Sequence, residues 1–203
     1  MMKKNENIKE LVRYLNTRIE FLHNCNAEIE DMLDHKKQEL VNSKLDNQYL
    51  DKGYKYFEYV VANTYRYAML IAVCTFLEET LKNLSPQIVK DYKNKIRGVT
   101  KGTWLEKHRL LFSQCKPKLV SGSVSKSWAL MLDIVQVRNC LAHAWGKVCK
   151  CKNQQKVKKI IDHYDFLELT GDGFIFLDDE AITSAIAESD QILIHLFEKG
   201  FEQ

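Results

Sequence analysis

The stretch Val135-Gln-Val-Arg-Asn-Cys-Leu-Ala-His-Ala-Trp-Gly146 ends a long apolar segment that starts near Ser127. Apart from one thiol, the segment between residues 128 and 145 holds three ionisable side chains: Asp133, Arg138 and His143. A helix that is apolar nearly all round belongs in a core, and an arginine is almost never fully buried without a partner. The stretch therefore predicts a core helix whose arginine and histidine serve a purpose other than packing.

Length and composition predict one domain with a sizeable core. The chain has 203 residues, of which 45% are apolar, and this length suits a single domain. With only two prolines and eight glycines, helices are favoured over a turn-rich β protein. The net charge of +3 permits a polyanionic partner without requiring one.

The distribution of apolar residues predicts a cytoplasmic protein without a membrane segment. No apolar region follows the charged N-terminus, so we expect no secretory signal. The most apolar stretch, residues 60–77, contains Asn63 and Arg66 and is followed by two glutamates. These polar groups favour a core helix over a membrane span.

The six cysteines show no disulfide-like framework, and we expect free thiols in a reducing compartment. Cys149 and Cys151, together with His143 or His163, could ligate zinc. Their one-residue gap departs from the usual two-residue spacing, and no second pair matches it. We therefore expect neither a metal nor another cofactor.

Hydrophobic periodicity predicts an all-α fold with two long antiparallel N-terminal helices. The first extends to about residue 42, and the second follows a break at residues 51–53 and extends through Leu81. Ser85-Pro86 predicts a helix restart that continues to about Gly98. Residues 103–106 form a candidate capping box for a short helix ending near Cys115. Ser125 or Ser127 is the expected N-cap of the helix that carries the opening stretch, and Gly146 its C-terminal cap.

The spacing of the apolar residues changes in the last fifty residues. Residues 147–159 predict a loop or short connector, and the next apolar residues, 161–167, predict a strand. Residues 170–173 predict a turn, and 174–176 a returning strand. Residues 178–180 supply a cap for a final helix that ends at Gly200. We interpret 1–203 as a single domain in which about 157–203 is a hairpin-plus-helix appendage.

His143 and Arg138 have side chains suited to phosphate chemistry. An imidazole can transfer protons near neutral pH, and a guanidinium matches phosphate oxygens. Asn139 lies four residues before His143 and shares its helix face, whereas Arg138 is about 140° away on an ideal helix. Arg138 and His143 therefore meet only if the helix distorts or if two copies of the helix come together.

The spacing between Arg138 and His143 is weak evidence by itself, because Arg18 and His23 repeat it on an ordinary amphipathic helix. We interpret that earlier pair as structural. The later pair differs in its surroundings. An asparagine follows the arginine, the helix is almost uncharged, a glycine stands at the expected helix end, and a run of lysines follows.

The pattern Arg138-Asn139-x-x-x-His143, late in a helical domain, resembles the signature of the HEPN superfamily. The segment Glu78-Glu-Thr-Leu-Lys82 is similar to the acidic residue with a base four positions later that these domains often carry on an earlier helix. The resemblance implies a HEPN-like helical bundle that acts as a dimeric, metal-independent endoribonuclease. Such families include toxins and antiphage effectors, so a cognate antitoxin or regulator is a further implied partner.

In the mechanism that the resemblance implies, the ribose 2′-hydroxyl attacks the adjacent phosphate and leaves a cyclic phosphate end. His143 would move the proton, Arg138 would stabilise the transition-state charge, and Asn139 would position His143 or the phosphate. Glu78, with Lys82 four residues on, would support the site by holding Arg138. The alternative for Glu78 is a solvated position at a frayed helix end.

A lysine-rich segment follows the motif and is expected to contact RNA. Six lysines fall within thirteen residues: Lys147, Lys150, Lys152, Lys156, Lys158 and Lys159. They could bind the phosphates that flank a cut, or they could belong to a solvated loop beside a helix end. The aromatic residues of the predicted hairpin are interpreted as its core in preference to base-stacking platforms: Tyr164, Phe166, Phe174 and Phe176.

Two other function classes remain open at this point. A non-catalytic module would bind RNA, a nucleotide or a partner protein through Arg138 and leave His143 structural. A purely structural helical protein would use its long N-terminal helices for assembly, and Arg138 would then affect only stability.

Overall fold

A computed structural model describes residues 2–43 and 47–201, with side chains from residue 10 onward except at residue 47. The helices are α1 (Met2–Val41), α2 (Asn47–Tyr56), a π-helical turn (Phe57–Ala62), α3 (Asn63–Ile88), α4 (Tyr92–Gly98), α5 (Trp104–Cys115), α6 (Ser125–Ala144), α7 (Gln154–Ile161) and α8 (Asp179–Gly200). Short 3-10 turns cover Pro117–Leu119, Gly122–Val124 and Val148–Lys150. Two antiparallel strands, β1 (Leu167–Leu169) and β2 (Ile175–Leu177), pair in register Leu167 to Leu177. The predicted all-α bundle with a small hairpin and a final helix is confirmed.

Ion pairs join α1 to the following helical segment in antiparallel order. Lys37 contacts Glu58 at 3.2 Å, and Glu30, about two turns earlier in α1, contacts Arg66 at 2.7 Å. Arg66 also contacts Glu58 at 3.2 Å and donates to the carbonyl of Leu177. Arg66 is thus a buried arginine with two carboxylate partners. A buried charge needs such partners, because leaving it unpaired is strongly destabilising.

Helix α6 lies in the centre of the core, as predicted. Its residues Met131, Ile134, Val135 and Val137 are fully buried. Helix α8 packs against α3, α6 and α1, and its buried residues belong to the same hydrophobic cluster as those of α6. The hairpin-plus-helix segment treated above as an appendage therefore contributes to the same core as the rest of the described chain.

Two predicted breaks in the N-terminal half are wrong. Helix α2 begins at Asn47 and passes through Gly53 without interruption. Helix α3 includes Pro86 and ends at Ile88, and the next helix starts after Asp91, which is left-handed with φ 58°. Leu84, Ser85 and Ile88 are buried, so packing of this stripe outweighs the single backbone bond that a proline removes close to a helix end.

The caps of two helices show where local rules succeed and fail. The capping box of Thr103 and Glu106 is confirmed, with the Glu106 N–H donating to Thr103 Oγ1 at 3.2 Å. Ser125 and Ser127 do not cap α6, because a 3-10 turn leads directly into it with Val124 at the N-cap. The Ser125 hydroxyl instead donates to the carbonyl of Gly122.

The segment 147–159 is more ordered than a connector. It contains a 3-10 turn and most of α7, whose buried face is formed by Val157, Ile160 and Ile161. These positions recur at helical spacing. Of the residues predicted as a strand, Ile161 instead ends α7, residues 162–166 form a turn, and Leu167 begins β1. The turn at residues 170–173, the Asp178 cap and the helix end at Gly200 are confirmed.

Within the described residues, one helical stretch, Gln48–Ile88, is long and apolar enough to cross a membrane by length and composition. Core helices pass the same test, and α3 has a buried face that contacts α6 and α8.

Candidate functional site at the end of helix α6

The opening stretch forms the last three turns of α6, which is a regular α-helix up to Ala144. Trp145 follows in a left-handed conformation with φ 53°, and Gly146 has φ 75°. The N–H groups of both residues bond to the carbonyl of Cys140. A Cβ at position 146 would collide with the ring of Tyr67, so Gly146 is required by both its backbone conformation and this close approach.

A cleft of about 640 Å³ opens on one side of this helix end, and we call it the lysine cleft. Helix α6 contributes Asn139 and His143, and His143 is exposed. The start of α5 and the segment from the 3-10 turn to α7 form the other walls. The ionisable side chains that line it, cysteines aside, are Glu106, His143, Lys150, Lys152 and Lys156.

The structure brings Asn139 and His143 together with three of the six predicted lysines: Lys150, Lys152 and Lys156. Lys158 and Lys159 are exposed on α7 and do not line the cleft. Lys147 lies outside it, with its ammonium 5.2 Å from the centre of the Phe174 ring. The lysine segment is therefore divided between a cleft wall and the neighbouring surface.

Glu106 and Gln136 also line the lysine cleft, and neither was predicted as a functional residue. Lys156 lies 3.4 Å from Glu106. Partial burial tends to raise the pKa of Glu106, but hydrogen bonds from Thr103 and the charge of Lys156 outweigh it and lower that pKa. The cleft thus contains one ionised carboxylate among its cations.

Arg138 does not line the lysine cleft. It lies three, four and seven residues before Leu141, Ala142 and Trp145, and so shares their helix face. Its Nη1 donates to Asn139 Oδ1 at 3.2 Å. Its Nε is buried and has no hydrogen-bond partner among the described residues. Arg138 and His143 of one chain therefore lie on different sides of an undistorted helix.

Glu78 does not hold Arg138 as expected. It is half-buried and forms an ion pair with Lys82 at 2.9 Å, and no ion pair joins it to Arg138 within the described residues. Lys82 is one turn away on the same helix face, which makes it the nearer partner. Burial raises the pKa of the neighbouring Cys74 thiol to about 12, while Arg138 opposes this rise and Glu78 adds to it.

A disulfide joins Cys140 of α6 to Cys151, across the lysine cleft. The expectation of free thiols is therefore wrong for this pair, whereas Cys25, Cys74, Cys115 and Cys149 are free. Sequence spacing gave no signal for the pair, because their Cα atoms reach 5.4 Å only when the segment after Gly146 folds back on α6. Because Cys151 is in this bond, it cannot serve as one of the zinc ligands considered above. No group of three or more metal-binding side chains occurs in the part of the chain that the structure describes.

The earlier Arg18 and His23 pair has different surroundings. Arg18 Nε donates to the Tyr14 hydroxyl at 3.1 Å, and the guanidinium lies over that ring. His23 is exposed on α1. The two side chains line no common cleft among the described residues.

Of the four aromatic residues in or near the hairpin, three pack against other rings and one lines a cleft. Phe166 is buried and stacks on Tyr164, whose hydroxyl donates to Asp133. Phe176 packs against Tyr59 with ring centres 5.1 Å apart. Phe174 instead lines a second cleft, of about 1,110 Å³, on the opposite side of the α6 end. The sequence did not predict this cleft, because its walls come from three segments far apart in the chain.

No protein-family model, no curated protein and no solved structure matched this chain when it was compared with each of these sets. The functional conclusions that follow therefore depend on the residues of the site itself.

Proposed function

We propose that the protein is an endoribonuclease that cuts RNA without a metal and uses a site shared between two copies of the chain. The observation that carries the proposal is the lysine cleft, in which His143 and Asn139 face three lysines. Cations along a groove attract a phosphate backbone, and the imidazole lies where it can reach a bound ribose or phosphate.

In the proposed reaction, the ribose 2′-oxygen forms a bond to the adjacent phosphorus and the bond to the 5′-oxygen breaks. His143 takes the proton of the 2′-hydroxyl, and the resulting imidazolium returns it to the departing 5′-oxygen. Arg138 stabilises the negative charge that develops on the phosphoryl oxygens. Asn139 shares the helix face of His143 and positions the imidazole or the phosphate. Its Oδ1 accepts from Arg138 of its own chain.

The shared site follows from helix geometry. Because α6 is regular between Ser125 and Ala144, distortion does not bring Arg138 to His143. The remaining arrangement is the one in which Arg138 of one copy meets the imidazole of another. A homodimer is therefore part of the proposal, together with a cytoplasmic location and a role as a toxin or antiphage effector under a cognate antitoxin or regulator.

Such an effector would arrest growth on expression, and Arg138→Ala would relieve the arrest.

The second candidate is a HEPN-like module that binds RNA, a nucleotide or a partner protein without cutting. The observation in its favour is that Arg138 and His143 are separated within one chain, so a monomer would lack a complete catalytic pair. This candidate predicts salt-dependent RNA binding with no strand cleavage.

Cleavage of RNA in the presence of EDTA tests the proposal. Wild-type protein should cut total or transfer RNA, and His143→Ala should reduce the rate at least about 100-fold, the usual contribution of a proton-transfer group. His23→Ala is the matched control, because His23 has the same spacing from an arginine but lies on α1. Full-strength cleavage by the His143→Ala variant, or no cleavage by the wild type, would contradict the proposal.

A further inference from the structure

The end of α6 separates two clefts of different chemistry. Asn139, Cys140, His143 and Ala144 face the lysine cleft, whereas Leu141, Ala142 and Trp145 face the second cleft. On an ideal helix these two sets point in nearly opposite directions. Arg138 shares the face of the second set, one turn before Leu141.

The second cleft, which we call the aromatic cleft, presents large rings to solvent. Trp145, Tyr56 and Tyr59 are 85%, 63% and 44% exposed and all line it. Phe174 lies in the same wall, with the cation of Lys147 over its ring. Exposed apolar surface gathered in one concave place, in contrast to scattered single residues, marks a binding site.

The backbone at two points of this cleft is unusual in a way that orients the rings. Trp145 is left-handed, a conformation that glycine adopts without cost and that a bulky side chain rarely takes. Tyr59 belongs to the π-helical turn Phe57–Ala62, and such turns occur frequently at functional sites. The local backbone at the end of α6 and in the π-helical turn thus places both rings at the cleft.

Charged side chains of both signs stand at the rim. Glu168 and Asp172 of the hairpin are exposed and line the aromatic cleft, as does Lys55, which pairs with Asp51 at 2.9 Å. Carboxylates accept hydrogen bonds from exocyclic amino groups of bases, and aromatic rings stack on base faces. Three lysines that would bind phosphate lie across the helix end in the lysine cleft.

We propose that the aromatic cleft binds unstacked bases of the same RNA strand whose phosphates occupy the lysine cleft. The inference deepens the proposed function and rests on it. The aromatic cleft has a volume of about 1,110 Å³, which exceeds the usual range for one small ligand. It therefore accommodates more than one base. A second copy of the chain is the alternative occupant, and the experiment below distinguishes it from RNA.

Trp145 fluorescence provides the test. Trp128 is fully buried, Trp104 is half-buried, and Trp145 is exposed, so quenching by a stacked base reports on position 145. The probes are a single-stranded 2′-O-methyl oligonucleotide, which cannot be cut by 2′-hydroxyl attack, and an abasic oligomer of the same length. We expect the first to quench the emission and the second to bind without quenching.

The variants test affinity separately from fluorescence. Trp145→Gly removes the ring but suits the left-handed backbone, so the helix end is retained. It should weaken binding of the base-containing oligonucleotide about tenfold, within the usual effect of losing one stacking partner, and leave abasic binding unchanged. Tyr56→Ala should act in the same direction. Phe21→Ala, an exposed aromatic on α1 that lines neither cleft, should have no effect.

Equal quenching by both oligomers, or an equal loss of affinity for both in Trp145→Gly, would overturn the inference. Emission that changes with protein concentration but not with oligonucleotide would also overturn it and assign the cleft to a second copy. The nuclease proposal can fail separately, because base-dependent quenching without cleavage would leave a base-binding cleft in a protein that does not cut.

Discussion

The unpaired Nε of Arg138 is the most informative feature at the scale of single residues. A buried donor without a partner costs about 1–3 kcal/mol, and most buried polar groups in folded proteins are satisfied. Arg66 shows the usual solution in the same molecule, with carboxylates of Glu30 and Glu58 around its guanidinium. Arg138 has no such carboxylate among the described residues, which leaves its charge available for a phosphate.

His108 makes stability depend on pH. It is buried, with Nε2 3.0 Å from the Tyr92 hydroxyl and Nδ1 2.8 Å from the Trp104 carbonyl. Burial lowers the pKa of His108 below its ordinary value of 6.5. The unfolded chain therefore binds a proton at a higher pH than the folded chain does, and the stability is lost as the pH falls below about 6.5.

Urea unfolding at pH 7.5 and pH 5.5 measures this effect. We expect a lower midpoint at pH 5.5 and a smaller difference between the two pH values in His108→Gln. His35→Gln is the control, because the His35 side chain is 74% exposed. An unchanged pH dependence in His108→Gln would contradict this account of His108.

At the scale of elements, the disulfide between Cys140 and Cys151 fixes the lysine-bearing segment to α6. The two cysteines are eleven residues apart, and a loop of this length gives about 2–3 kcal/mol of stabilisation in the chain-entropy model. We expect Cys140→Ser to lower the free energy of unfolding by an amount of this order. The same loss should follow addition of dithiothreitol to the wild type, and in a reducing cytoplasm the bond would open.

Urea unfolding with and without dithiothreitol checks this prediction. Cys115→Ser is the control, since Cys115 is a free, half-buried thiol. Unfolding curves that do not respond to dithiothreitol would show that the pair contributes nothing to stability.

The elements also show what sequence reasoning could and could not establish. The core helix α6 and the Thr103 capping box were predicted correctly, because apolar periodicity and local capping rules concern residues close in the chain. The helix break at Pro86 was wrong because the buried stripe of α3 continues past the proline. Helix α7 was missed because Val157, Ile160 and Ile161 extend across the boundary between a lysine-rich segment and an apolar one.

The candidate site was predictable to a similar extent. Helix spacing correctly placed Asn139 and His143 together and Arg138 apart. The division of the lysines and the Cys140–Cys151 bond could not be predicted, since each depends on how distant segments pack. The aromatic cleft was missed for the same reason, although Trp145 lies only two residues from His143.

At the scale of the whole molecule, the proposed site requires two copies of the chain. In that proposal, each copy would contribute the face with Arg138 to one site and the face with Asn139 and His143 to the other. Such reciprocal use of two patches is the arrangement that a two-fold axis generates. It also predicts that neither an Arg138 variant nor a His143 variant can cut RNA by itself.

Mixing those two variants tests whether the site is shared between copies. Arg138→Ala and His143→Ala would be prepared separately, mixed in equal amounts to exchange subunits, and assayed for RNA cleavage in EDTA, with native mass spectrometry used to verify mixed dimers. We expect each variant alone to be inactive and the mixture to regain about a quarter of the wild-type rate, because half of the dimers are mixed and each of these holds one intact site. Mixed dimers that remain inactive, or single variants that cut at the wild-type rate, would contradict the shared site.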